Sequence, residues 1–356
     1  MTIHLTTAVR RFAGVAMLAL LAAIRVPAQT TPVTVTNLVS NQPGVAAFQD
    51  TNLVNAWGLA AGPTSPFWIS ANGAGVSTIY TGTGATARPP VVIPAPRVGK
   101  TSTPTGIVFN GSGDFRFVKA GVVTRAIFIF STEDGTIAAW GGGNTATIVA
   151  NRSPNGAVYK GLAIVATPVG RFLLATDFHH NAVDVYNSHF HRVHHFTDSS
   201  LPAGYAPFGI ATLGSLIYIT FALQDSDGGD DVAGAGHGFV DVVDPVNGTF
   251  TRLISQGALN SPWGLAIAPA SFGPLAGALL VGNFGDGTIH VYNPTTGEML
   301  ATVADSLGNP VVIDGLWALV PGNDALAGSS QTLFFTAGPD DESNGLFGAI
   351  DPIPGE

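Results

Sequence analysis

The chain has 356 residues and carries a formal net charge of −9, from 23 acidic and 14 basic residues. It contains no cysteine, which excludes disulfide bonds and thiolate metal sites. The negative charge opposes a phosphate backbone, so we do not expect a nucleic-acid partner. With 45 glycines, 24 prolines and only 10% charged residues, the composition favours many tight turns around a large apolar core.

The N-terminus has the pattern of a secretory signal peptide over residues 1–28. Arg10 and Arg11 precede an apolar run from Phe12 to Ile24, and the small-residue sequence "VPA" follows, ending at Ala28. The run is shorter than the ~20 residues that a membrane-spanning helix needs. We therefore expect a secreted or periplasmic protein with no membrane span after signal removal. The alternative is that the segment stays as an uncleaved anchor.

A short phrase of a glycine followed by an apolar strand recurs six times, as in "NAWGLAAGP" and "NSPWGLAIAP". Its glycines are Gly58, Gly106, Gly161, Gly209, Gly264 and Gly315. Recurrence at a period of roughly 50 residues is typical of repeat architectures. Within each unit, short runs of Val, Ile, Leu and aromatic residues alternate with Gly, Asn, Asp and Pro, which indicates four antiparallel strands.

Six such units predict an all-β fold, a six-bladed β-propeller over residues 29–356 as a single domain. The sixth unit has only three strands. We expect its fourth strand to come from "PVTVTNLVS", between Pro32 and Ser40, which would close the ring and remove an open sheet edge. The alternatives are an open solenoid or two β-sandwiches.

The unit "PWGLAIAP…LLVGNFGDGTIHVYNPTTG" resembles an NHL repeat. Nearly the whole mature chain also resembles an uncharacterised group of exported bacterial propellers, through "NLVNAWGLA", "DDVAGAGHGFVDV", "VGNFGDG" and "AGPDDESNGLFG". Members of that group often carry a PEP-type sorting tail, which the C-terminus "DPIPGE" does not match, so anchoring by that route is not expected. The resemblance implies a fold and no activity.

The residue before each repeat glycine should lie where the innermost strand of a blade begins, close to the central channel. These residues are Trp57, Thr105, Lys160, Phe208, Trp263 and Asp314. The phrases are similar to those of the gluconolactonase-like propellers, a resemblance that implies carboxylate and amide metal ligands at these positions. Because only Asp314 matches, gluconolactonase-like chemistry is disfavoured.

Two sets of side chains are candidates at the channel. Trp57, Phe208 and Trp263 are predicted to bind a sugar or apolar ligand, with packing between the blades as the alternative. Lys160, Asp314 and His179 are weak catalytic candidates, since a histidine near a carboxylate can act as a base. The alternative for Lys160 and Asp314 is a neutralising pair in the channel wall.

Acidic residues are concentrated in the loops between the second and third strands of the units, which should all lie on the channel-mouth face. The loops "QDSDGGDD" and "AGPDDES" are the densest and suggest a calcium site, because alternating carboxylates suit a hard cation. The candidate ligands are Asp225, Asp227, Asp230, Asp231, Asp340, Asp341 and Glu342. The alternative is that these loops are solvated and hold no metal; no cofactor other than Ca²⁺ is indicated.

Two functions remain open from the sequence. The first is a monomeric, non-enzymatic module whose acidic face binds a small molecule, a cation or a protein. The second is a hydrolase or lyase with its site at the channel mouth. The missing convergent metal ligands favour the first.

Overall fold

The computed structural model describes residues 31–246 and 248–353. The predicted signal peptide, residues 1–28, lies outside the described residues. Apart from three short 3-10 helices, at Asn72–Ala74, Ser153–Asn155 and Ala270–Leu275, the regular structure is all strand. No helix in this described part of the chain has the length and apolar character to cross a bilayer.

The strands form the six predicted blades, each an antiparallel sheet. Two strands precede the first complete blade, β1 (Val33–Ser40) and β2 (Phe48–Gln49). Blade one, from the innermost strand outward, comprises β3 (Ala56–Ala60), β4 (Phe67–Ala71), β5 (Val76–Tyr80) and β6 (Thr86–Val92). Blade two comprises β7 (Pro104–Phe109), then β10 (Phe128–Thr132), β11 (Thr136–Trp140) and β12 (Thr147–Asn151), with a hairpin of β8 (Arg116–Lys119) and β9 (Val122–Arg125) inserted after β7.

The next three blades have the same inner-to-outer order. Blade three comprises β13 (Tyr159–Thr167), β14 (Gly170–Asp177), β15 (Ala182–Asn187) and β16 (Arg192–Phe196). Blade four comprises β17 (Tyr205–Leu213), β18 (Leu216–Leu223), β19 (Gly238–Val243) and β20 (Phe250–Ser255). Blade five comprises β21 (Pro262–Ile267), β22 (Leu279–Asn283), β23 (Ile289–Tyr292) and β24 (Met299–Thr302).

The sixth blade is closed by the N-terminal strand, as predicted. It comprises β25 (Leu316–Pro321), β26 (Leu333–Ala337), β27 (Leu346–Pro352) and then β1. Strand β1 pairs antiparallel with β27 from Val33 opposite Pro352 to Ser40 opposite Leu346. Strand β2 adds in parallel outside β1. The two ends of the described chain are therefore held in one sheet, which closes the ring.

The apolar core lies between neighbouring blades, with one cluster of buried side chains at each of the six junctions. Between blades one and two, for example, Trp68 stacks on Phe128 with ring centroids 4.4 Å apart. Since every blade buries both of its faces in this way, little surface is left for charged residues. This explains the low charged fraction of the sequence.

Each innermost strand has a β-bulge near its start, where the register with the next strand shifts. In blade three, Tyr159 pairs with Asp177 and Gly161 with Thr176, so Lys160 is the extra residue. A bulge re-aims the side chain that it carries. Six bulges therefore determine which side chains lie near the channel axis.

In the sixth blade the bulge carries Trp317, and the predicted alignment on Gly315 and Asp314 was wrong by three residues. The register shifts between Leu316 and Leu319, as it does between Ala56 and Leu59 around Trp57. Ala318 N–H donates to Thr336 Oγ1 at 3.1 Å, the bond that Gly161 N–H makes to Thr176 Oγ1 at 2.7 Å in blade three.

Gly315 has a different role from the other repeat glycines. Its φ is +64°, and the residues at the same place before the other two tryptophans, Asn55 and Ser261, also have positive φ values of 48° and 46°. This left-handed conformation favours glycine. Gly264, in contrast, is required because a Cβ there would lie 2.5 Å from the carbonyl oxygen of Trp317.

A candidate cation-binding site at the mouth of the channel

The site lies at the end of the propeller where the six innermost strands begin and where the loops between second and third strands are found. We call this end the mouth. The loops that surround it are residues 72–75, 133–135, 178–181, 224–237, 284–288 and 338–345. Side chains from several of these loops meet the first residues of the innermost strands on the channel axis, as the strand order predicted.

An aromatic plug closes the channel just below the mouth. Trp57 stacks on Trp317 with centroids 3.5 Å apart, and Trp263 meets these two rings edge-on at 6.1 and 5.7 Å. Phe208 packs against Trp57 and Trp317, and Phe284 stacks on Trp317 at 4.1 Å. The plug therefore consists of Trp57, Phe208, Trp263, Phe284 and Trp317.

The three predicted ligand-binding aromatics are thus parts of a packed layer. Trp57 is 1% exposed, Phe208 is fully buried and Trp263 is 9% exposed. These three side chains pack around the channel, which was the alternative to ligand binding. Of the plug residues, only Phe284 is half-buried, so it is the ring with an open face at the mouth.

Polar side chains from five blades form one hydrogen-bonded chain above the plug. Asn55 Nδ2 donates to Glu342 Oε2 at 2.5 Å and to Asn72 Oδ1 at 3.4 Å. Asn72 Nδ2 donates to Glu133 Oε2 at 2.8 Å, and Lys160 Nζ donates to Glu133 Oε1 at 2.6 Å. Lys160 also contacts Asp230 of the fourth blade, at 2.9 Å from Nζ to Oδ1. We call these six residues, Asn55, Asn72, Glu133, Lys160, Asp230 and Glu342, the mouth cluster.

The mouth cluster is fixed to the plug by two indole groups. Trp317 Nε1 donates to Asn55 Oδ1 at 3.2 Å, and Trp263 Nε1 donates to the carbonyl oxygen of Lys160, also at 3.2 Å. The ammonium of Lys160 lies 5.2 Å from the centroid of the Trp57 ring, within the range of a cation–π contact. The polar cluster therefore has a rigid aromatic floor.

Lys160 is a permanent cation in this setting. Its side chain is 2% exposed, and burial alone would lower its pKa, but the adjacent Glu133 and Asp230 carboxylates raise that pKa above its usual value. A lysine acts as a base or nucleophile only when its pKa is lowered. Lys160 is therefore a structural ion-pair partner and a poor catalytic group.

Negative charge at the mouth exceeds the positive charge that Lys160 supplies. The mouth cluster contains three carboxylates and one ammonium. Burial raises the pKa of Glu342, and nearby Glu133 and Asp230 raise it further, whereas the hydrogen bond from Asn55 lowers it. Burial likewise raises the pKa of Asp231 beside this cluster. A second cation would relieve this excess of negative charge.

The loop that presents Glu342 is strained. Asp340, Asp341 and Glu342 have consecutive φ values of +58°, +51° and +63°. The left-handed conformation costs about 1–2 kcal/mol per residue relative to the right-handed one, somewhat less for aspartate. Strained backbone held by its surroundings clusters at functional sites, and here it directs Glu342 onto Asn55.

The predicted calcium ligands are distributed among different partners. Asp225 accepts hydrogen bonds from the backbone of its own loop, at Gly229 and Asp230, and Asp340 accepts one from Asn344 Nδ2 at 2.8 Å. Asp230 and Glu342 belong to the mouth cluster, Asp231 is half-buried beside it, and Asp227 and Asp341 are exposed. Within residues 31–246 and 248–353, no group of three or more His, Cys, Asp or Glu side chains is arranged to hold a metal ion.

The three weak catalytic candidates are spread around the mouth. Lys160 is central, whereas Asp314 is exposed and accepts a hydrogen bond from the Asp340 backbone at 2.9 Å. His179 is also exposed and packs edge-on against His180 at 5.0 Å. No hydrogen bond or ion pair joins these three side chains to one another in the described structure.

Sequence reasoning did not single out Phe284 or Glu133 as candidates, and it missed three further residues of the site, Asn55, Asn72 and Trp317. Asn72 follows the second strand of blade one in a loop with no acidic residue, so charge patterning did not reveal it. A signal for the other two was present: Asn55, Ser261 and Gly315 each stand two positions before a tryptophan. Aligning the sixth unit on its tryptophan would have given the correct register.

The structure resembles propellers of unrelated sequence. A glucose dehydrogenase superposes with a TM-score of 0.54 and 12% identity, covering 91% of this chain and 100% of that one. A streptogramin B lyase superposes with a TM-score of 0.53 and 10% identity, covering 91% and 98%. At such identities the likeness is one of fold alone.

The chain also has sequence relatives among the proteins of a virus. No known family profile matches the chain. The uncharacterised protein R648 of Acanthamoeba polyphaga mimivirus is 30% identical over 326 residues, covering 88% of this chain and 78% of R648. Protein L690 of the same virus is 30% identical over 331 residues, covering 88% and 84%. Full-length similarity at this level is evidence of common descent, and the chain belongs to the protein family of mimivirus R648 and L690.

Proposed function

We propose that this propeller is a non-enzymatic binding module whose mouth cluster takes a cationic ligand. The observation that carries the proposal is the charge at the mouth: three carboxylates surround one buried ammonium, and burial and mutual repulsion raise the pKa of Glu342. A ligand that brings a positive charge next to Asp230 and Glu342 would gain two charge-assisted hydrogen-bond acceptors. It would also remove the repulsion between those acceptors.

The geometry favours an organic cation, such as the ammonium group of a polyamine or a basic peptide. Phe284, on the mouth loop 284–288 and stacked on Trp317, offers a half-buried aromatic face, which suits an alkylammonium or a guanidinium group. The Glu133 and Glu342 carboxylates already accept hydrogen bonds from side-chain amides, an arrangement that orients one or two oxygens for a ligand and does not enclose an ion. Ca²⁺ is the second candidate for the same negative potential.

A hydrolase or lyase at the same mouth is the alternative function, and one solved propeller of this fold is a lyase. The specific observation in its favour is Glu342, because a carboxyl with a raised pKa can donate a proton as a general acid. Against it, Lys160 is locked in two ion pairs, while His179 and Asp314 lie apart from it. Binding therefore remains the better-supported function.

The proposal can be tested by isothermal titration calorimetry with spermidine, trilysine and CaCl₂, each at low and at moderate salt. We expect the organic cations to bind, with an affinity that falls as salt rises. Asp230→Asn should weaken binding about fivefold or more, since it removes a largely exposed acid without disturbing the core. Glu298→Gln, an exposed acid on an outer turn of blade five, is the matched control and should leave binding unchanged.

Three outcomes would contradict this assignment. If neither spermidine nor trilysine binds at low salt, the mouth is not a cation site. If both bind equally well to wild type and to D230N, the site is elsewhere. If only Ca²⁺ binds, and D230N abolishes its binding, the ligand is the metal.

We also propose that the protein acts as an exported monomer. The signal-peptide pattern over residues 1–28 supports export. N-terminal sequencing of protein recovered from the periplasm or medium of a bacterial host should begin near Gln29. Light scattering should give the mass of one chain.

A further inference from the structure

A second candidate site lies on the other side of the aromatic plug, in the central channel. The channel there is a cavity of about 450 Å³ lined by all six innermost strands. One large aliphatic residue from each blade, the residue two places after the bulge residue, contributes to its wall. These are Leu59, Ile107, Leu162, Ile210, Leu265 and Leu319.

The wall has almost no polar side chains. None of the lining residues is charged, and the one side-chain hydroxyl, Thr212 Oγ1, already donates to the carbonyl oxygen of Ile164 at 3.0 Å. Trp263 closes the end nearest the mouth, and its indole N–H is used on the carbonyl of Lys160. A charged ligand would find no side-chain partner in this channel, so it would pay the full desolvation cost.

The far end of the channel is where access is expected. The lining residues at the ends of the innermost strands, such as Ala61, Leu213 and Pro321, are half-buried, whereas those next to the plug are buried. This end is opposite the mouth, and the plug separates the two. A molecule in the channel would therefore be independent of the mouth cluster.

We propose that this channel binds an uncharged, mainly hydrocarbon small molecule, which enters from the end opposite the mouth. The volume falls in the range of about 300–1,000 Å³ that is typical of small-molecule sites. Water against the aliphatic side chains of this wall makes no hydrogen bonds to them, so its displacement by hydrocarbon is favourable. The unpaired inner edges of the six innermost strands offer backbone groups for a hydroxyl or carbonyl on such a molecule.

The test is a fluorescence titration of the full chain with N-phenyl-1-naphthylamine, an uncharged apolar probe, followed by displacement with 1-dodecanol. We expect saturable binding with a blue-shifted emission and full displacement. Ala61→Trp fills the channel rim and should weaken binding about tenfold or more. The same change at Ala87, on the exposed outer strand of blade one, is the matched control and should leave binding unchanged.

A second pair of variants covers the case in which A61W does not fold. Thr212→Glu places a charge at the half-buried end of the channel wall and should weaken binding of the probe, whereas Thr212→Val should leave that binding unchanged. D230N should leave the probe's affinity unchanged, which separates this site from the proposed cation site. Non-saturable binding, or equal affinity in wild type, A61W and T212E, would overturn the proposal.

Discussion

The indole rings of Trp57 and Trp317 stack face to face with centroids 3.5 Å apart, although the two residues, on the first and last innermost strands, are 260 positions apart in the chain. The contact lies where the ring closes, between blades one and six. A second contact reinforces it, because Thr336 of blade six donates a hydrogen bond to the carbonyl of Trp57. The centre of the mouth is therefore built on the closure of the ring.

We expect Trp317→Ala to lower the free energy of unfolding by about 3–5 kcal/mol, because it empties the middle of the plug. Asp314→Asn, at the position that the sequence had favoured, should change it by less than about 0.5 kcal/mol, since Asp314 is exposed. Urea unfolding followed by tryptophan fluorescence and circular dichroism measures both. If the two variants lowered the free energy of unfolding equally, the assignment of Trp317 as the bulge residue of the sixth blade would be contradicted.

The ion pair of Lys160 gives a double-mutant prediction. Lys160→Met should destabilise the fold by about 2 kcal/mol, below the ~3–5 kcal/mol of a fully buried pair, because the Asp230 side chain is 77% exposed. Glu133→Gln should cost less, and the double variant should be more stable than the sum of the two effects predicts. Urea midpoints of the four proteins give the coupling energy. Strict additivity would show that the two charges do not stabilise one another.

The fold could be predicted from the sequence because its signals are local. The repeated phrases, the strand runs and the turn residues identified six blades, and the missing strand of the sixth unit pointed to residues 32–40. The hairpin of β8 and β9 was not predicted, although "VKAGVV" has a two-residue Ala-Gly turn between valines. The hairpin lengthens the second unit: Gly106 and Gly161 are 55 residues apart, whereas Gly58 and Gly106 are 48 apart.

The site was less predictable because its members converge from distant parts of the chain. Which acids turn inward depends on loop backbone: the left-handed turn at residues 340–342 brings Glu342 to Asn55, while its neighbour Asp341 stays exposed. Composition does not encode that choice. The sixth unit was aligned on Gly315 because it is a glycine followed by an apolar strand, like the other repeat glycines. Gly315 is a glycine because its φ is left-handed, whereas the other repeat glycines are needed for close packing.

Asp241 predicts a pH dependence of stability. Burial raises its pKa to about 6. The negative charge of nearby Asp198 also raises this pKa, whereas the ion pair with Arg252 lowers it. Because the folded pKa lies above the unfolded value of about 3.9, the native state binds this proton more tightly. Stability should therefore fall, by up to roughly 3 kcal/mol from this residue, as pH rises from about 4 to about 6.

Asp241→Asn should remove that part of the pH dependence, and Asp198→Asn should lower the pKa of Asp241 by removing a neighbouring negative charge. Urea unfolding between pH 4 and 7 measures the first effect, and carboxyl carbon NMR titration measures the second. Asp114→Asn, in an exposed ion pair with Arg171, is the control. An unchanged pH slope in D241N would refute the assignment.

An engineered disulfide can lock the closure of the ring. Because the chain has no cysteine of its own, two introduced cysteines can pair only with each other. Thr34 lies opposite Asp351 in the pairing of β1 with β27, and paired antiparallel residues have the Cα separation that a disulfide needs. T34C/D351C should gain about 2–5 kcal/mol when oxidised. Comparing oxidised and reduced forms of the same protein cancels the loss of the Thr332 to Asp351 hydrogen bond. A reduced and an oxidised form with equal melting temperatures would contradict the pairing.

The use of β1 as the outer strand of the last blade also sets the order of folding. Its partner β27 lies more than 300 residues later in the chain, so β1 has no strand to pair with until all the other blades have been synthesised. A pairing over more than 300 residues carries a high loop-closure cost and is expected to form last. During that interval the nascent chain exposes β1 as an unpaired strand, so slow synthesis of the last blade should be the point at which the protein is most prone to aggregate.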